Sequence, residues 1–142
     1  MEWNESLAHR VVKKMMDSDW FSQWLEIEIL ELEAGRCKLA CKVTHAMLNG
    51  FAIAHGGISY SLADSALAFA SNSHGIKAMS IETTISHTRM MNEGDVLTAT
   101  TEEKTCGKNT AIYHITVTNQ DGKTCALFKG IVFRTGENWF ND

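Results

Sequence analysis

The sequence lacks any apolar run long enough to cross a membrane, which takes about 20 residues of helix. Its first residues mix charged side chains with apolar ones and never form the continuous apolar stretch of a signal peptide. Both absences predict a cytoplasmic protein that has no membrane partner.

The chain also lacks an excess of positive charge. There are 13 Lys and Arg residues against 17 Asp and Glu residues, and the net charge is −4 with a pI of about 5.8. The positive residues are scattered and form no basic patch of the kind that binds a phosphate backbone. Nucleic acid is therefore not expected as a partner.

Motifs for disulfides and metals are missing as well. The four cysteines form no CxxC pair and lie mostly within apolar runs, which is typical of reduced thiols; they are Cys37, Cys41, Cys106 and Cys125. There is no HExxH motif, no Cys-His cluster and no GxSxG elbow for a serine nucleophile. We therefore expect no disulfide, no metal and no serine triad.

The chain does have regular hydrophobic periodicity. Hydrophobic residues make up 44% of the 142 residues, enough to bury one core, so a single domain over residues 1–142 is expected. Apolar residues at helical spacing over 7–16 predict an amphipathic helix within an N-terminal helical segment, residues 1–20. The polar residues 136–142 are expected to form a loose tail.

A β-hairpin is predicted after the first helix. Apolar and polar residues alternate from Leu25 to Val43, and Ala34-Gly35 supplies a turn in the middle. Leu30 breaks the alternation, which indicates a bulge or a change of face at that point.

A second, longer helix is predicted where apolar residues recur at intervals of three and four between Ile58 and Ala70. Four strand-like segments bounded by turn residues follow it: 78–89, 96–104, 110–118 and 124–134. A long apolar helix followed by antiparallel strands is an α+β arrangement, in which the sheet must wrap the helix to bury it.

The start of this long helix carries residue types that suit a reaction site. The turn His55-Gly56-Gly57 precedes the helix, so its first backbone N–H groups are free to stabilise an oxyanion. Asp64 is a single carboxylate in an apolar segment, where a charge is costly unless it is paired, solvated or useful. Two simpler interpretations stay open: the glycines could only allow tight packing, and a lone helical Asp often faces solvent.

These motifs also occur in an order that resembles a known family. The residues are Met47-Leu48-Asn49-Gly50, His55-Gly56-Gly57, Ser61 to Ser73 with Leu62-Ala63-Asp64, and Gly94-Asp95 followed by Leu97 to Thr100. Over most of its length the sequence resembles the hotdog-fold acyl-CoA thioesterases of the phenylacetic-acid-degradation type. The resemblance implies a hotdog fold, an antiparallel β-sheet wrapped around a long central α-helix.

The resemblance further implies roles for individual residues. The N–H of Gly56, helped by Asn49, polarises the thioester carbonyl. Asp64 acts on the attacking side, either as the base that activates water or as a nucleophile. Ser80 stands near the position where relatives carry a serine that orients the water. His55 is expected to hold the loop by hydrogen bonding instead of exchanging protons.

Substrate contacts follow from the same resemblance. Gly57 is expected beside the bound thioester, and Arg89, Lys104 and Lys108 are candidates for contacts with the phosphates of coenzyme A, although positive residues at turns are often only solvated. Coenzyme A is part of the substrate, so no separate cofactor is expected.

The implied activity is hydrolysis of a small or medium acyl-CoA, with phenylacetyl-CoA or hydroxyphenylacetyl-CoA as the leading candidates. Two alternatives stay open, a non-catalytic hotdog module that binds acyl-CoA and a hotdog enoyl-CoA hydratase. Hydratases of this fold carry a His a few residues after the Asp. Here His55 precedes Asp64, which favours hydrolysis.

The spacing of the two candidate groups indicates a shared site. The seven residues from Gly57 to Asp64 correspond to about 10 Å along a helix, too far for both ends to contact one carbonyl. A two-fold dimer with antiparallel helices would bring Gly56 of one chain beside Asp64 of the other. The resemblance implies the same homodimer, assembled further into a dimer of dimers.

Overall fold

The computed structural model describes the whole chain, residues 1–142. Its elements are α1 (Leu7–Met16), α2 (Trp20–Trp24), β1 (Glu28–Glu33), β2 (Arg36–Lys42), a 3-10 turn (His45–Met47), α3 (Gly56–Asn72), β3 (Ile76–His87), β4 (Val96–Cys106), β5 (Thr110–Thr118) and β6 (Thr124–Asn138). None of the α-helices is long and apolar enough to cross a membrane.

The six strands form one antiparallel sheet in the order β1-β2-β4-β5-β6-β3. The long helix α3 packs against five of these strands, from β2 to β6. Its side chains Leu62, Ala66 and Phe69 are fully buried and form the centre of the hydrophobic core. The predicted α+β arrangement, with the sheet wrapped around a long helix, is therefore confirmed.

The local sequence explains where α3 begins and ends. The ring of His55 accepts a hydrogen bond from the N–H of Gly57 at 2.9 Å and so caps the first turn. After the last turn, Gly75 has a φ of +97° and directs the chain into β3. The buried side chain of Asn72 fixes this turn, because its amide group both donates to and accepts from the backbone of Ala78.

Both predictions for the N-terminal elements are confirmed. The first helix spans Leu7–Met16, and the hairpin is β1 and β2 with its turn at Ala34-Gly35. The pairing register shifts between Ile29 and Glu31, so the bulge lies at Leu30, whose side chain is exposed. The helix α2 was not predicted, because five residues are too few to show a helical period.

The C-terminal tail differs from the loose segment expected at residues 136–142. β6 continues to Asn138, which is paired with β3, and the indole N–H of Trp139 donates to the side chain of the last residue of α3 at 2.9 Å. The carboxylate of Asp142 forms an ion pair with Arg10 of α1 at 2.9 Å. Glu137 and Asn138, the polar residues of the tail that belong to β6, lie at exposed positions of the strand, where polarity does not prevent strand formation.

All four cysteines are free thiols in the structure. Three of them are buried in the core, whereas Cys106 is exposed at the end of β4.

Candidate active site

The N-terminus of α3 presents a free backbone donor. Gly56 is the first helical residue, and its N–H donates to no acceptor within the chain. The neighbouring N–H of Gly57 donates to the ring of His55, which is the kind of hydrogen bond that a loop-holding role for His55 requires. The free N–H and the positive end of the helix dipole can together stabilise a negatively charged oxygen.

A cavity of about 450 Å³ lies beside this helix start, and we call it the Gly56 cavity. Asn49, Gly56 and Arg89 line it, so three of the predicted site residues come together here. The side-chain oxygen of Asn49 accepts from the N–H of Phe51 at 2.9 Å, which leaves the side-chain NH₂ group free to donate. The exposed guanidinium of Arg89 adds a positive charge to the cavity.

His87 also lines the Gly56 cavity, a position that no sequence pattern predicted. It is the last residue of β3, and its Nε2 would lie 3.1 Å from a Cβ added at Gly56. The other ring nitrogen, Nδ1, is 3.4 Å from the hydroxyl of Ser59. His87 and Gly56 are distant in sequence and meet because β3 packs on α3, so no local pattern could have connected them.

Asp64 lies further along α3, in a separate cavity of about 520 Å³ that we call the Asp64 cavity. Seven of its 14 lining residues are apolar, among them Met79 and Trp139. Ser80 of β3 lines this cavity too, so the structure places the predicted water-orienting serine in the same cavity as the carboxylate.

The carboxylate of Asp64 is half-buried and accepts no hydrogen bond. Burial raises the pKa of this carboxyl above its usual range, and the nearby negative charge of Asp19 raises the pKa further. A carboxylate with a raised pKa is a better proton acceptor at neutral pH, and a carboxylate without a partner is free to attack a carbonyl. The arrangement is compatible with either role for Asp64.

The helix α2 holds Asp19 in this position. The carboxylate of Asp19 accepts from the N–H of Ser22 at 2.9 Å and from its hydroxyl at 2.7 Å. The hydroxyl of Ser22 is also 2.8 Å from that of Ser65, the residue after Asp64. A continuous chain of hydrogen bonds therefore fixes a second carboxylate near the first.

Two of the predicted phosphate contacts lie elsewhere. Lys104 is on β4, where its ammonium group contacts the carboxylate of Glu102 at 2.8 Å, and Lys108 is in the turn between β4 and β5. Neither lysine lines the Gly56 cavity or the Asp64 cavity. Within one chain, only Arg89 of the three predicted residues is at a candidate site.

The candidate catalytic groups are divided between the two cavities. Gly56 and Asp64 are eight residues apart on α3, which corresponds to about 12 Å along the helix axis. Each lines its own cavity. One carbonyl cannot lie within hydrogen-bond distance of both, so a single chain does not complete the predicted site.

Metal-ligating side chains come together at one other place. A ligand atom from each of His74, Glu103 and Cys106 lies within 4.8 Å of the other two. None of these residues lines the Gly56 cavity or the Asp64 cavity. The cluster is therefore distinct from the candidate active site.

Comparison with known proteins assigns the family. The thioesterase superfamily profile matches residues 51–126, more than half of the chain. Acyl-coenzyme A thioesterase PaaI of Escherichia coli is 41% identical over 122 residues, which cover 86% of this chain and 87% of that protein. The structure of E. coli PaaI, from the phenylacetic acid degradation operon, matches with a TM-score of 0.91 and 39% identity over 93% of this chain and 96% of that chain.

Two further structures are similar at lower identity. A mutant of the phenylacetic acid degradation protein PaaI from Thermus thermophilus matches with a TM-score of 0.79 and 36% identity, over 82% of this chain and 99% of that chain. A Streptococcus mutans protein bound to acetyl-CoA matches with a TM-score of 0.76 and 27% identity, over 79% of this chain and 90% of that chain. The chain therefore belongs to the thioesterase superfamily, as a hotdog-fold thioester hydrolase of the phenylacetic-acid-degradation type.

Proposed function

We propose that this thioester hydrolase acts on acyl-CoA, with phenylacetyl-CoA or hydroxyphenylacetyl-CoA as the substrate, at sites shared between two copies of the chain. One observation carries the proposal. The helix α3 carries both a free backbone donor, the N–H of Gly56, and a carboxylate that accepts no hydrogen bond, that of Asp64, at two separate places. The similarity to E. coli acyl-coenzyme A thioesterase PaaI supports coenzyme A as the thiol part of the substrate. The acetyl-CoA bound by the S. mutans protein supports it as well.

Catalysis begins with polarisation of the thioester carbonyl. The N–H of Gly56 and the free side-chain amide of Asn49 donate hydrogen bonds to the carbonyl oxygen, where negative charge develops in the transition state. Asp64 takes a proton from a water molecule while the water oxygen bonds to the carbonyl carbon. The tetrahedral intermediate then collapses, the C–S bond breaks, and the leaving sulfur receives the proton held by Asp64.

A covalent route uses the same groups. The carboxylate of Asp64 attacks the carbonyl carbon and displaces the coenzyme A thiolate, which gives a mixed anhydride that water then hydrolyses. Both routes require the ionised carboxylate and the same oxyanion donor. In either route Ser80 orients the water, Gly57 lets the substrate approach the helix start, and Arg89 contacts a phosphate of coenzyme A.

The exposed edge of the sheet supports a homodimer. β3 is an edge strand of 12 residues that pairs with β6 on one side only, and its side chains Met79 and Ile81 are each 63% exposed. A long edge strand with exposed apolar side chains is suited to pairing with another chain. A two-fold dimer joined along β3 would place two antiparallel α3 helices side by side, with Gly56 of one chain near Asp64 of the other.

Further assembly of this dimer into a dimer of dimers is part of the proposal. Lys104 and Lys108 would then reach a bound coenzyme A only from a neighbouring chain, since both are remote from the cavities of their own chain. The negative net charge of the chain makes such localised positive residues the natural contacts for phosphates.

The Asp64 cavity suits an aromatic acyl group. Its volume of about 520 Å³ can hold a phenylacetyl group, and half of its lining residues are apolar, including Leu67, Met79 and Trp139. A ring hydroxyl would find polar partners there, because Ser71 and Thr135 are also in the lining.

The two competing functions are less consistent with the cavity. A hydratase of this fold carries its histidine a few residues after the aspartate on the same segment, and no histidine of the same chain lines the Asp64 cavity. A non-catalytic binding module would have no use for a half-buried carboxylate without a partner, which disfavours folding.

A thiol-release assay over a panel of acyl-CoA esters tests the proposal. Phenylacetyl-CoA or hydroxyphenylacetyl-CoA should give the highest kcat/KM, above acetyl-CoA and a linear medium-chain ester. Binding of these esters without release of thiol would establish the non-catalytic module. Hydration of an enoyl-CoA without release of thiol would establish the hydratase.

A further inference from the structure

The cluster of His74, Glu103 and Cys106 lies at the end of the fold opposite the Gly56 cavity. His74 is in the turn that follows α3, whereas Glu103 and Cys106 are on the last part of β4. Nε2 of His74 is 2.6 Å from a carboxylate oxygen of Glu103, and all three ligand atoms lie within 4.8 Å of one another. A nitrogen, an oxygen and a sulfur donor therefore converge from two separate elements.

A bulge in β4 makes this convergence possible. Glu103 and Cys106 are three residues apart, and on a regular strand such residues point to opposite faces. The register of β4 against β5 shifts between Glu103 and Thr105, so one residue is left unpaired and the parity changes. Because of the bulge, Cys106 lies on the same side of the sheet as Glu103, which is the side that faces His74.

The turn of the β1–β2 hairpin closes over the same atoms. Gly35 has a φ of +78°, and a Cβ added there would overlap the carboxylate oxygen of Glu103 and lie 2.8 Å from Nε2 of His74. The N–H of Gly35 donates to the hydroxyl of Ser73 at 2.7 Å, which holds the hairpin turn in this place. Only glycine allows the backbone to approach the cluster so closely.

A buried hydroxyl orients the carboxylate of the cluster. The side chain of Tyr113 is fully buried, and its hydroxyl donates to the same oxygen of Glu103 at 2.6 Å. Carboxylate ligands of metals are commonly held by such an outer hydrogen bond.

We propose that His74, Glu103 and Cys106 bind one divalent transition metal ion of the zinc class per chain. Imidazole, carboxylate and thiolate together are ligands of Zn²⁺, and the thiolate disfavours Mg²⁺ and Ca²⁺, which prefer oxygen alone. Two anionic ligands neutralise the two positive charges of the ion, and the thiol proton leaves when the metal binds.

Modest movement of the side chains would complete the site. Tetrahedral Zn²⁺ with bonds of about 2.0 to 2.3 Å keeps its ligand atoms roughly 3.3 to 3.7 Å apart. The contact of 2.6 Å between His74 and Glu103 must therefore open by somewhat less than one ångström, and Cys106 must move closer. His74 also lines a cavity of about 420 Å³ at the surface. A water molecule that enters from this side would supply the fourth ligand.

The three ligands would connect the turn after α3 to β4, with the hairpin turn packed against them. Metal binding should therefore stabilise this end of the fold. The sequence did not predict the site because its ligands belong to no consecutive motif, and Glu103 and Cys106 face the same side only through the bulge.

Metal titration of tag-free protein stripped by a chelator tests the site. Wild-type protein should bind one Co²⁺ per chain with a thiolate-to-cobalt charge-transfer band in the near-ultraviolet, and Zn²⁺ should displace the Co²⁺. Cys106→Ser should lose the band, and His74→Ala should bind Zn²⁺ at least about 100-fold more weakly. Zn²⁺, but not Mg²⁺, should raise the Tm of the wild-type protein and leave that of Cys106→Ser unchanged.

The matched control is His45→Ala. His45 forms another exposed histidine–carboxylate pair, with Glu93 at 3.2 Å, but belongs to no cluster with a third ligand. This variant should retain the wild-type affinity and stoichiometry. The proposal is overturned if wild-type protein shows no charge-transfer band, or if folded Cys106→Ser and His74→Ala bind Zn²⁺ as tightly as His45→Ala. The readout is metal binding, so it is independent of the proposed hydrolysis.

Discussion

At the scale of single residues, Asp64 has the properties that a catalytic carboxylate requires. It is half-buried, it accepts no hydrogen bond, and it lies near a second carboxylate, Asp19. Its apolar neighbours in the sequence of α3 already indicated that Asp64 is at least partly buried. The effect of Asp19 could not be predicted, because it depends on the short helix α2 and its hydrogen bonds to α3.

Asp64→Asn should reduce kcat by about 100-fold or more and leave KM nearly unchanged, because the amide can neither accept the proton of water nor attack a carbonyl. Steady-state kinetics with the best substrate of the panel would show this. Asp121→Asn, in the exposed turn between β5 and β6, is the matched control and should keep full activity. Turnover close to that of wild type in Asp64→Asn would remove Asp64 from the mechanism.

The pH dependence of the rate should follow the ionisation of Asp64. Burial and the charge of Asp19 raise the pKa of this carboxyl above the ordinary value for aspartate, and only the ionised form is active in either route. The rate constant kcat/KM should therefore fall on the acid side at a pH above the ordinary range of aspartate. An acid limb at or below the ordinary pKa of Asp, measured in protein shown to stay folded, would contradict the environment described for this carboxylate.

The same raised pKa predicts a gain in stability when Asp64 is neutralised. A group whose pKa is higher in the folded state favours folding only while it is protonated, and this contribution is lost as pH rises through the folded pKa. Asp64→Asn should therefore have a higher Tm than wild type at neutral pH. The difference should shrink as pH falls through the raised folded pKa and should be gone below the unfolded pKa of Asp. An equal or lower Tm at neutral pH would show that the ionised carboxylate is not destabilising.

At the scale of elements, the start of α3 presents a backbone donor, the N–H of Gly56, and a substitution to proline can remove this N–H without disturbing the helix. Gly56 is the first helical residue, a position that proline favours because no helical hydrogen bond is lost there. His55 has φ −58° and ψ 139°, the extended conformation that a residue before proline adopts. The Cβ of alanine or proline at this position would meet the same ring of His87.

Gly56→Pro should therefore lose far more kcat than Gly56→Ala. Both variants add a Cβ near His87, but only proline removes the N–H that stabilises the oxyanion, an interaction worth on the order of 100-fold in kcat. Circular dichroism should show both variants to be folded. Similar small losses in the two variants would mean that the backbone donor takes no part in catalysis.

Elements with a clear period were predictable, and elements defined by tertiary contacts were not. The boundaries of α1, the hairpin turn and the bulge at Leu30 followed from apolar spacing and a glycine turn. The predicted end of β6 was wrong, because residues 136–138 look like a loop in sequence but continue β6 in the fold, where Asn138 pairs with Ile76 of β3. The positions of His87 and Lys108 could not be predicted for the same reason. Only the packing of the sheet brings His87 to the Gly56 cavity and leaves Lys108 outside it.

At the scale of the whole molecule, a single chain leaves both the candidate active site and the edge of the sheet incomplete in the same region. Within one chain, the N–H of Gly56, which would donate a hydrogen bond to the oxyanion, lies about 12 Å along α3 from the residue that carries the carboxylate, Asp64. The strand next to them in space, β3, has an unpaired edge with exposed Met79 and Ile81. A two-fold dimer through β3 would resolve both, because it pairs the edge and brings Gly56 of one chain to Asp64 of the other.

This arrangement predicts complementation between two inactive variants. Asp64→Asn and Gly56→Pro proteins, each nearly inactive alone, should regain activity after they are dissociated and reassembled together. Each mixed dimer contains one site with both groups intact and one site with both altered. Random exchange puts about half of the molecules in mixed dimers, so activity should approach about a quarter of wild type. Mixed dimers proven by two different affinity tags, yet without thioesterase activity, would show that Gly56 and Asp64 do not meet across the interface.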